Sequence, residues 1–135
     1  MTNKAKEFIE KHAHLLDNST KEPDWNTFFD EARIENLIFE VVEMLDAAGV
    51  AWTWEKYKII DGVWFTADMK NIVKYNPKKT DSRYEIPVSV QGVYSTAFKD
   101  CMYLKEIVMS EKLLNTGTKP FRWSNCPNLK TIHLY

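Results

Sequence analysis

Apolar residues recur at intervals of three and four in the first fifty residues, the spacing that gathers side chains on one face of an α-helix. A first helix is predicted over residues 3–17, with its apolar face formed by Phe8, Ile9, His12, Leu15 and Leu16. A second is predicted from about Asp24 to about Ala48, with its apolar face formed by Ile34, Leu37, Ile38, Val41 and Leu45. Asp24 is expected to cap the second helix, and Gly49 to end it in the left-handed conformation.

The pattern changes to alternation between Ala51 and Phe65, as in a half-buried β-strand. The alternating residues are aromatic or branched: Trp52, Trp54, Tyr57, Ile59, Val63 and Phe65. Asp61-Gly62 lies in the middle of this segment, and this pair favours a tight turn that needs positive φ at both residues. A β-hairpin is therefore predicted here, followed by a polar loop over residues 76–83.

Two segments near the end of the chain resemble each other at a constant offset of 25 residues. Residues 98–109 read FKDCMYLKEIVM and residues 123–134 read WSNCPNLKTIHL. The matched pairs are Phe98 with Trp123, Cys101 with Cys126, Leu104 with Leu129, Ile107 with Ile132, and Met109 with Leu134. This is the signature of stacked repeats, in which each unit covers the apolar face of its neighbour. We expect like side chains to stack, with Cys on Cys and Leu on Leu.

The first of these segments resembles the bacterial BspA-like leucine-rich repeat, and the resemblance covers about residues 86–135. The residues that carry it are Ile86, Pro87, Ser89, Val90, Val93, Ala97, Phe98, Cys101, Leu104 and Ile107. The second unit departs from the pattern, and a bulge is expected over 115–119. A third unit upstream is an alternative to the hairpin, with Val63, Thr66, Met69 and Ile72 lying 35 residues before the repeat positions. Members of this family are mostly recognition proteins, and the resemblance implies no shared catalytic site.

These features predict an α+β fold in which N-terminal helices and a β-hairpin cap a short leucine-rich-repeat stack. Residues 1–50 form the helical cap region, and residues 51–135 form the hairpin and the stack, within one compact domain overall. Such a scaffold predicts a small intracellular protein–protein recognition module, of bacterial or phage and mobile-element origin.

The outward side chains of the repeat strands are the predicted binding surface. If Leu104, Ile107 and Met109 face the core, the side chains between them are free to contact a partner. The predicted partner-binding residues are Lys105, Glu106, Val108, Lys130, Thr131, His133 and Tyr135. The last strand also lacks a visible capping unit, so self-association through Leu129–Tyr135 is a further hypothesis.

Charge divides unevenly between the two parts of the chain, which leaves two alternatives open. Residues 1–50 carry a net charge of −6 and residues 51–135 a net charge of +5. The first alternative is an inhibitor that uses the acidic helical face, represented by Glu35, Glu40 and Glu43. The second is a nucleic-acid-binding accessory protein that uses basic and aromatic residues, namely Lys78, Lys79, Arg83, Lys119, Phe121, Arg122 and Trp123. Trp123 occupies a repeat core position, which weakens the second alternative.

Neither an enzyme nor a metal site is expected. The chain has four Gly and no phosphate-cradling glycine motif, so no cofactor site is predicted. His12 and His14 are two residues apart, which on a helix would point their rings in opposite directions. Cys101 and Cys126 are expected to be buried, inert thiols with raised pKa. The N-terminus lacks a signal-peptide pattern and no apolar run is long enough for a membrane span, so a cytoplasmic location is expected.

Overall fold

The computed structural model describes residues 3–17, 22–94, 96–114 and 126–135. The chain divides into two compact units, Met1–Lys56 and Tyr57–Tyr135. The first is helical and the second contains all the strands in the described ranges, so the mixed α+β class is confirmed. None of the helices in these ranges has the length and apolar character that a bilayer crossing requires.

Three α-helices lie in the described residues of the first unit. They are α1 (Lys4–Lys11), followed by a 3-10 turn (Ala13–Leu16), α2 (Trp25–Ile34) and α3 (Ile38–Ala47). Both α1 and α2 contact α3. The Asp24 side chain caps α2 by accepting a hydrogen bond from the Thr27 N–H at 3.1 Å, as predicted. Gly49 has a φ of +71° just beyond α3, which confirms the predicted helix stop.

The predicted single helix over 24–48 is wrong, because the chain turns between α2 and α3. Asn36 has a φ of +58°, a left-handed conformation that Asn tolerates better than most residues. The Leu37 N–H donates to the Ala32 carbonyl at 2.9 Å, which closes the end of α2. Ile34, assigned to the apolar face from the sequence, is 72% exposed as a result.

Trp52 and Trp54 belong to the helical unit and not to the hairpin, so the predicted strand begins too early. Both rings pack on Phe29, with ring centroids 5.0 and 5.3 Å from its own. Trp52 also donates from Nε1 to Asp46 Oδ1 at 2.8 Å. Alternation in this segment therefore reflects two aromatic side chains packing on a helix. The first strand starts at Tyr57.

A four-stranded sheet opens the second unit. Its strands are β1 (Tyr57–Ile60), β2 (Val63–Thr66), β3 (Asn71–Tyr75) and β5 (Gly92–Val93), in that spatial order. β1 and β2 form the predicted hairpin, with Asp61 at φ +47° and Gly62 at φ +74° in the turn. β3 pairs in parallel with β5, placing Ile72 beside Val93. The hairpin is thus the correct alternative for this segment, and the 35-residue alignment of Ile72 with Ile107 is not its pairing.

A second sheet contains three parallel strands in the order β4 (Arg83–Glu85), β6 (Glu106–Met109) and β7 (Thr131–Leu134). A short helix α4 (Glu111–Leu114) follows β6. β4 begins at Arg83, the last residue of the segment predicted as a polar loop, and continues to Glu85. The register between β6 and β7 pairs Glu106 with Thr131 and Met109 with Leu134. This register equals the 25-residue offset of the sequence repeat.

One apolar cluster joins the two sheets. It includes Phe65, Ile72 and Val93 from the first sheet and Ile107 and Met109 from the second. Leu104, Ile107 and Met109 are almost completely buried, which confirms the predicted inward face of the first repeat. The matching residues of the second repeat differ, because Ile132 is 36% and Leu134 49% exposed on the edge strand. Trp123 and the bulge expected over 115–119 lie outside the described residues.

Candidate recognition surface

The three parallel strands present a row of mostly polar side chains opposite the buried row. Side chains alternate along a strand, so the neighbours of buried Ile107 and Met109 lie on the other face. Across the sheet, Arg83 is paired with Glu106 and Glu106 with Thr131. The next outward position pairs Glu85 with Val108 and Val108 with His133. We call this surface the outer face. We include in it the exposed residues that flank the strands, namely Lys105 before β6, Lys130 before β7 and Tyr135 after β7.

Glu106 lies at the electrostatic centre of the outer face. Its Oε2 atom is 3.8 Å from Arg83 Nε and 3.9 Å from His133 Nε2. All three side chains are between two-fifths and two-thirds exposed, so water screens these contacts. Such weak intramolecular pairs leave Glu106 and Arg83 able to exchange one partner for another at low cost.

Six of the seven predicted partner-binding residues are accessible. Lys105, Lys130, Thr131, His133 and Tyr135 are exposed, and Glu106 is half-buried. Val108 is the exception, because it is only 7% exposed and cannot offer a free side chain. It lies on the central strand, where Glu85 and His133 flank it on both sides.

Tyr135 is fixed at the end of the outer face by three hydrogen bonds. Its hydroxyl donates to the Ile86 carbonyl at 2.8 Å, across the end of the intervening strand. Its N–H donates to the Met109 carbonyl and its carbonyl accepts from the Glu111 N–H, each at 3.0 Å. The ring is nevertheless 51% exposed. A rigid aromatic ring that is held in place and accessible loses little side-chain entropy on binding.

Arg83 and Glu85 belong to the outer face, although the sequence assigned Arg83 only to the nucleic-acid alternative and Glu85 to no site. They lie on β4, in a segment whose polar composition resembles a loop. A signal was present, since Arg83-Tyr84-Glu85 precedes Glu106-Ile107-Val108 by 23 residues, close to the repeat length. The Tyr84–Ile107 pairing confirms that spacing as a register.

The two cysteines lie in the apolar cluster between the two sheets and are free thiols. Both are buried, and Cys126 Sγ donates to the Phe98 carbonyl at 3.2 Å. The adjacent Cys126 and burial raise the pKa of Cys101, as expected for a core thiol. The expected rise is wrong for Cys126, because a hydrogen bond from the Cys101 thiol lowers its pKa. Both cysteines belong to the apolar cluster between the two sheets, and each influences the pKa of the other, which fits the predicted stacking of Cys on Cys.

The structure describes three of the seven basic and aromatic residues considered for nucleic-acid binding, and one of the three, Lys79, is held in two ion pairs. Lys79 Nζ bonds Asp81 at 2.8 Å and Asp61 at 3.2 Å, and its side chain is 10% exposed. The Lys79 amino group therefore stabilises the hairpin turn and is too little exposed to bind a phosphate readily. Lys78 and Arg83 are exposed. Four members of the set lie outside the described residues, namely Lys119, Phe121, Arg122 and Trp123.

The helical unit holds the remaining candidate side chains. The His12 and His14 rings lie 6.4 Å apart and nearly parallel, so the expected divergence of the two rings is wrong. The helix ends at Lys11, and the tighter 3-10 turn brings them closer. Within the described ranges, no three His, Cys, Asp or Glu side chains converge as a metal site would require. Of the acidic candidates, Glu35 and Glu43 are exposed and Glu40 is half-buried.

Comparisons of the chain with protein-family models, with curated proteins and with solved structures find no match.

Proposed function

We propose that this protein is a protein–protein recognition module built on a short stack of leucine-rich-type repeats, and that it binds its partner through the outer face. The repeats are two layers resembling the BspA-like family. We further propose that it acts in the cytoplasm of a bacterium, or in a phage or mobile element whose products work there.

One observation carries the proposal. The 25-residue offset of the sequence repeat equals the register of the β6–β7 pairing, so equivalent residues of the two repeats lie side by side. A stack of this kind produces rows of identical or similar side chains at a fixed spacing of about 4.8 Å. Repeat proteins commonly bind through such rows, because the rows are rigid and regular.

The chemistry of the outer face suits a protein partner. Two lysines, Lys105 and Lys130, lie beside each other at the start of the paired strands, where the Lys130 N–H donates to the Lys105 carbonyl at 2.9 Å. At the other end, Tyr135 supplies an exposed aromatic ring. Cationic and aromatic groups separated by a weakly paired carboxylate offer charge, hydrogen bonds and apolar area together.

Site-specific photo-crosslinking in cells of the source organism tests this proposal. A photoreactive amino acid is placed at Lys105 or at Lys130, and the matched control carries it at Lys58, an exposed lysine on β1. We expect the same protein adduct from Lys105 and Lys130 and none from Lys58. An unlabelled wild-type competitor should remove the adduct, and a K105E/K130E competitor should not.

Two results would overturn the proposal. One is the absence of any protein adduct at both positions while the protein is folded and abundant. The other is an adduct that forms equally at Lys58, which would show that the capture does not depend on the outer face.

A further inference from the structure

The outer edge of β7 presents backbone hydrogen-bonding groups to which no described strand is paired. The Thr131 N–H donates to the Lys105 carbonyl at 3.2 Å and the Tyr135 N–H to the Met109 carbonyl at 3.0 Å. Successive residues of a strand direct their backbone groups to opposite sides. The N–H and C=O groups of Ile132 and Leu134 therefore point away from β6, to the side where the described part of the chain places no strand.

The inner-face side chains of this edge are apolar, and the strand carries no Asp, Glu, Lys or Arg. Ile132 is 36% and Leu134 49% exposed, and the strand itself reads Thr-Ile-His-Leu. Proteins usually protect free edges with charged residues. The opposite edge of the same sheet follows that rule, since β4 reads Arg-Tyr-Glu. Of the two described edge strands of this sheet, β7 is thus the one without a charged Asp, Glu, Lys or Arg side chain.

The repeat itself indicates what fits this edge. β6 presents Ile107 and Met109 to β7, which supplies Ile132 and Leu134 in register. Because β7 has the same Ile-x-apolar pattern as β6, a strand of that pattern is the matching neighbour for β7 as well. Among the described strands of a second copy, the one that has this pattern and lies at a sheet edge is β7 itself.

We propose that two copies of this chain associate through β7, as an antiparallel pair about a two-fold axis. The register follows from the outward backbone groups. Ile132 and the partner's Leu134 exchange two hydrogen bonds, and Leu134 and the partner's Ile132 exchange two more. His133 then lies opposite the partner's His133, and the two three-stranded sheets become one six-stranded sheet.

A two-fold arrangement is favoured over a head-to-tail one. Pairing β7 with the partner's β4 would leave a free edge at each end, so that copies would add without limit. The two-fold pair uses both unprotected edges and closes. The paired apolar side chains of Ile132 and Leu134 from both copies then cover each other on the inner face.

The proposed self-association is independent of the proposed function. It concerns the edge of β7, whereas the proposed function concerns the outer face, and each is tested by a different measurement. Failure of self-association would leave outer-face capture of another protein unaffected.

Sedimentation of the full chain over a range of concentrations is the first test. We expect a monomer–dimer equilibrium for the wild type. Ile132→Lys should weaken the dimer at least about 100-fold, because a charge on the edge would be buried against a neighbouring strand. Val88→Lys is the matched control, since Val88 is 80% exposed in the same unit and should leave the dimer unchanged. Circular dichroism checks that both variants fold.

Cysteine cross-linking tests the register and does not depend on the lysine variant. His133→Cys should form a disulfide between subunits under mild oxidation, because directly opposite residues lie within disulfide reach. Thr131→Cys should not, since its counterpart would lie about four residues away, or about 13 Å.

A wild type that stays monomeric at high concentration overturns the proposal, and so does a loss of the dimer in Val88→Lys. Cross-linking through Thr131→Cys but not His133→Cys contradicts the register. Growth into polymers without limit indicates the head-to-tail arrangement and contradicts the two-fold pair.

Discussion

Ile107 and Ile132 lie side by side on neighbouring parallel strands, one 25-residue repeat apart in the sequence. Their environments differ, since Ile107 is completely buried and Ile132 is 36% exposed. The same residue at the same repeat position therefore fills the core in one layer and forms the edge in the next. Among the described residues, the three-stranded sheet is therefore buried at β6 and partly exposed at β7.

Truncation of these two isoleucines should have unequal effects on stability. Ile107→Ala should lower the free energy of unfolding by about 2–5 kcal/mol, because it removes buried methyl groups and leaves a cavity. Ile132→Ala should cost about 1 kcal/mol or less, since part of the side chain already contacts water. Urea unfolding checks this, at a protein concentration too low for association.

Equal losses for the two substitutions would show that β7 is as well covered as β6. That result would contradict the edge position of β7 and with it the difference in burial within the repeat.

Two glycines should tolerate alanine differently despite similar backbone angles. Gly62 and Gly49 have φ values of +74° and +71°, so alanine is strained by about 1 kcal/mol at either. A Cβ at Gly62 would lie 3.3 Å from Lys79 Cδ, whereas one at Gly49 meets nothing within 4 Å. We expect Gly62→Ala to be the more destabilising in thermal unfolding. A neutral Gly62→Ala would argue against the tight turn at Asp61-Gly62.

The ion pairs of Lys79 should contribute modestly to stability. Lys79→Met keeps the apolar stem but removes the pairs with Asp61 and Asp81, and should cost about 1 kcal/mol at neutral pH. Lys58→Met, an exposed control, should be neutral. Comparison of the two variants by urea unfolding isolates the pairs, and equal stability would show that they contribute nothing.

The Lys79 contribution should also depend on pH. Burial lowers the pKa of Lys79, but its bonds to Asp81 and Asp61 outweigh burial and hold the pKa above 10.5. A group whose pKa is raised on folding stabilises below its unfolded pKa and loses that effect as pH rises through its folded pKa. The difference between wild type and Lys79→Met should be constant from pH 7 to 9 and shrink above about pH 10.5. A decline that begins between pH 7 and 9 would contradict this.

The two thiols should be protected from alkylation in the folded protein. Cys101 and Cys126 are 1% and 3% exposed, so a reagent reaches them only when the structure opens. Iodoacetamide followed by mass spectrometry should show little modification without denaturant and two modified thiols in 6 M guanidinium, a denaturing concentration. Rapid modification of either under native conditions would contradict their burial.

The repeat could be read from the sequence because it is a spacing between identical residue types. The 25-residue offset needs no assumption about secondary structure, and the β6–β7 register agrees with it at all four paired positions. The Asp61-Gly62 turn was likewise readable, since few residue pairs adopt positive φ at both positions.

Other elements could not be predicted correctly from the sequence, because one periodicity can have two physical causes. Apolar spacing continues across residues 34–38, although Asn36 turns the chain there and Ile34 faces solvent. Trp52 and Trp54 alternate like strand residues but pack on Phe29. The polar β4 strand is recognisable only from its partner, since Tyr84 alone is buried enough to contact the core. Part of the outer face was missed for this reason.

Methyl NMR can show whether equivalent residues of the two repeats stack in register. With labelled isoleucine methyl groups, assigned by Ile107→Val and Ile132→Val, we expect a cross-peak between Ile107 and Ile132, whose strands lie about 4.8 Å apart. Labelled methionine and leucine should give a second cross-peak between Met109 and Leu134. Absence of both cross-peaks in the folded protein would contradict the stack.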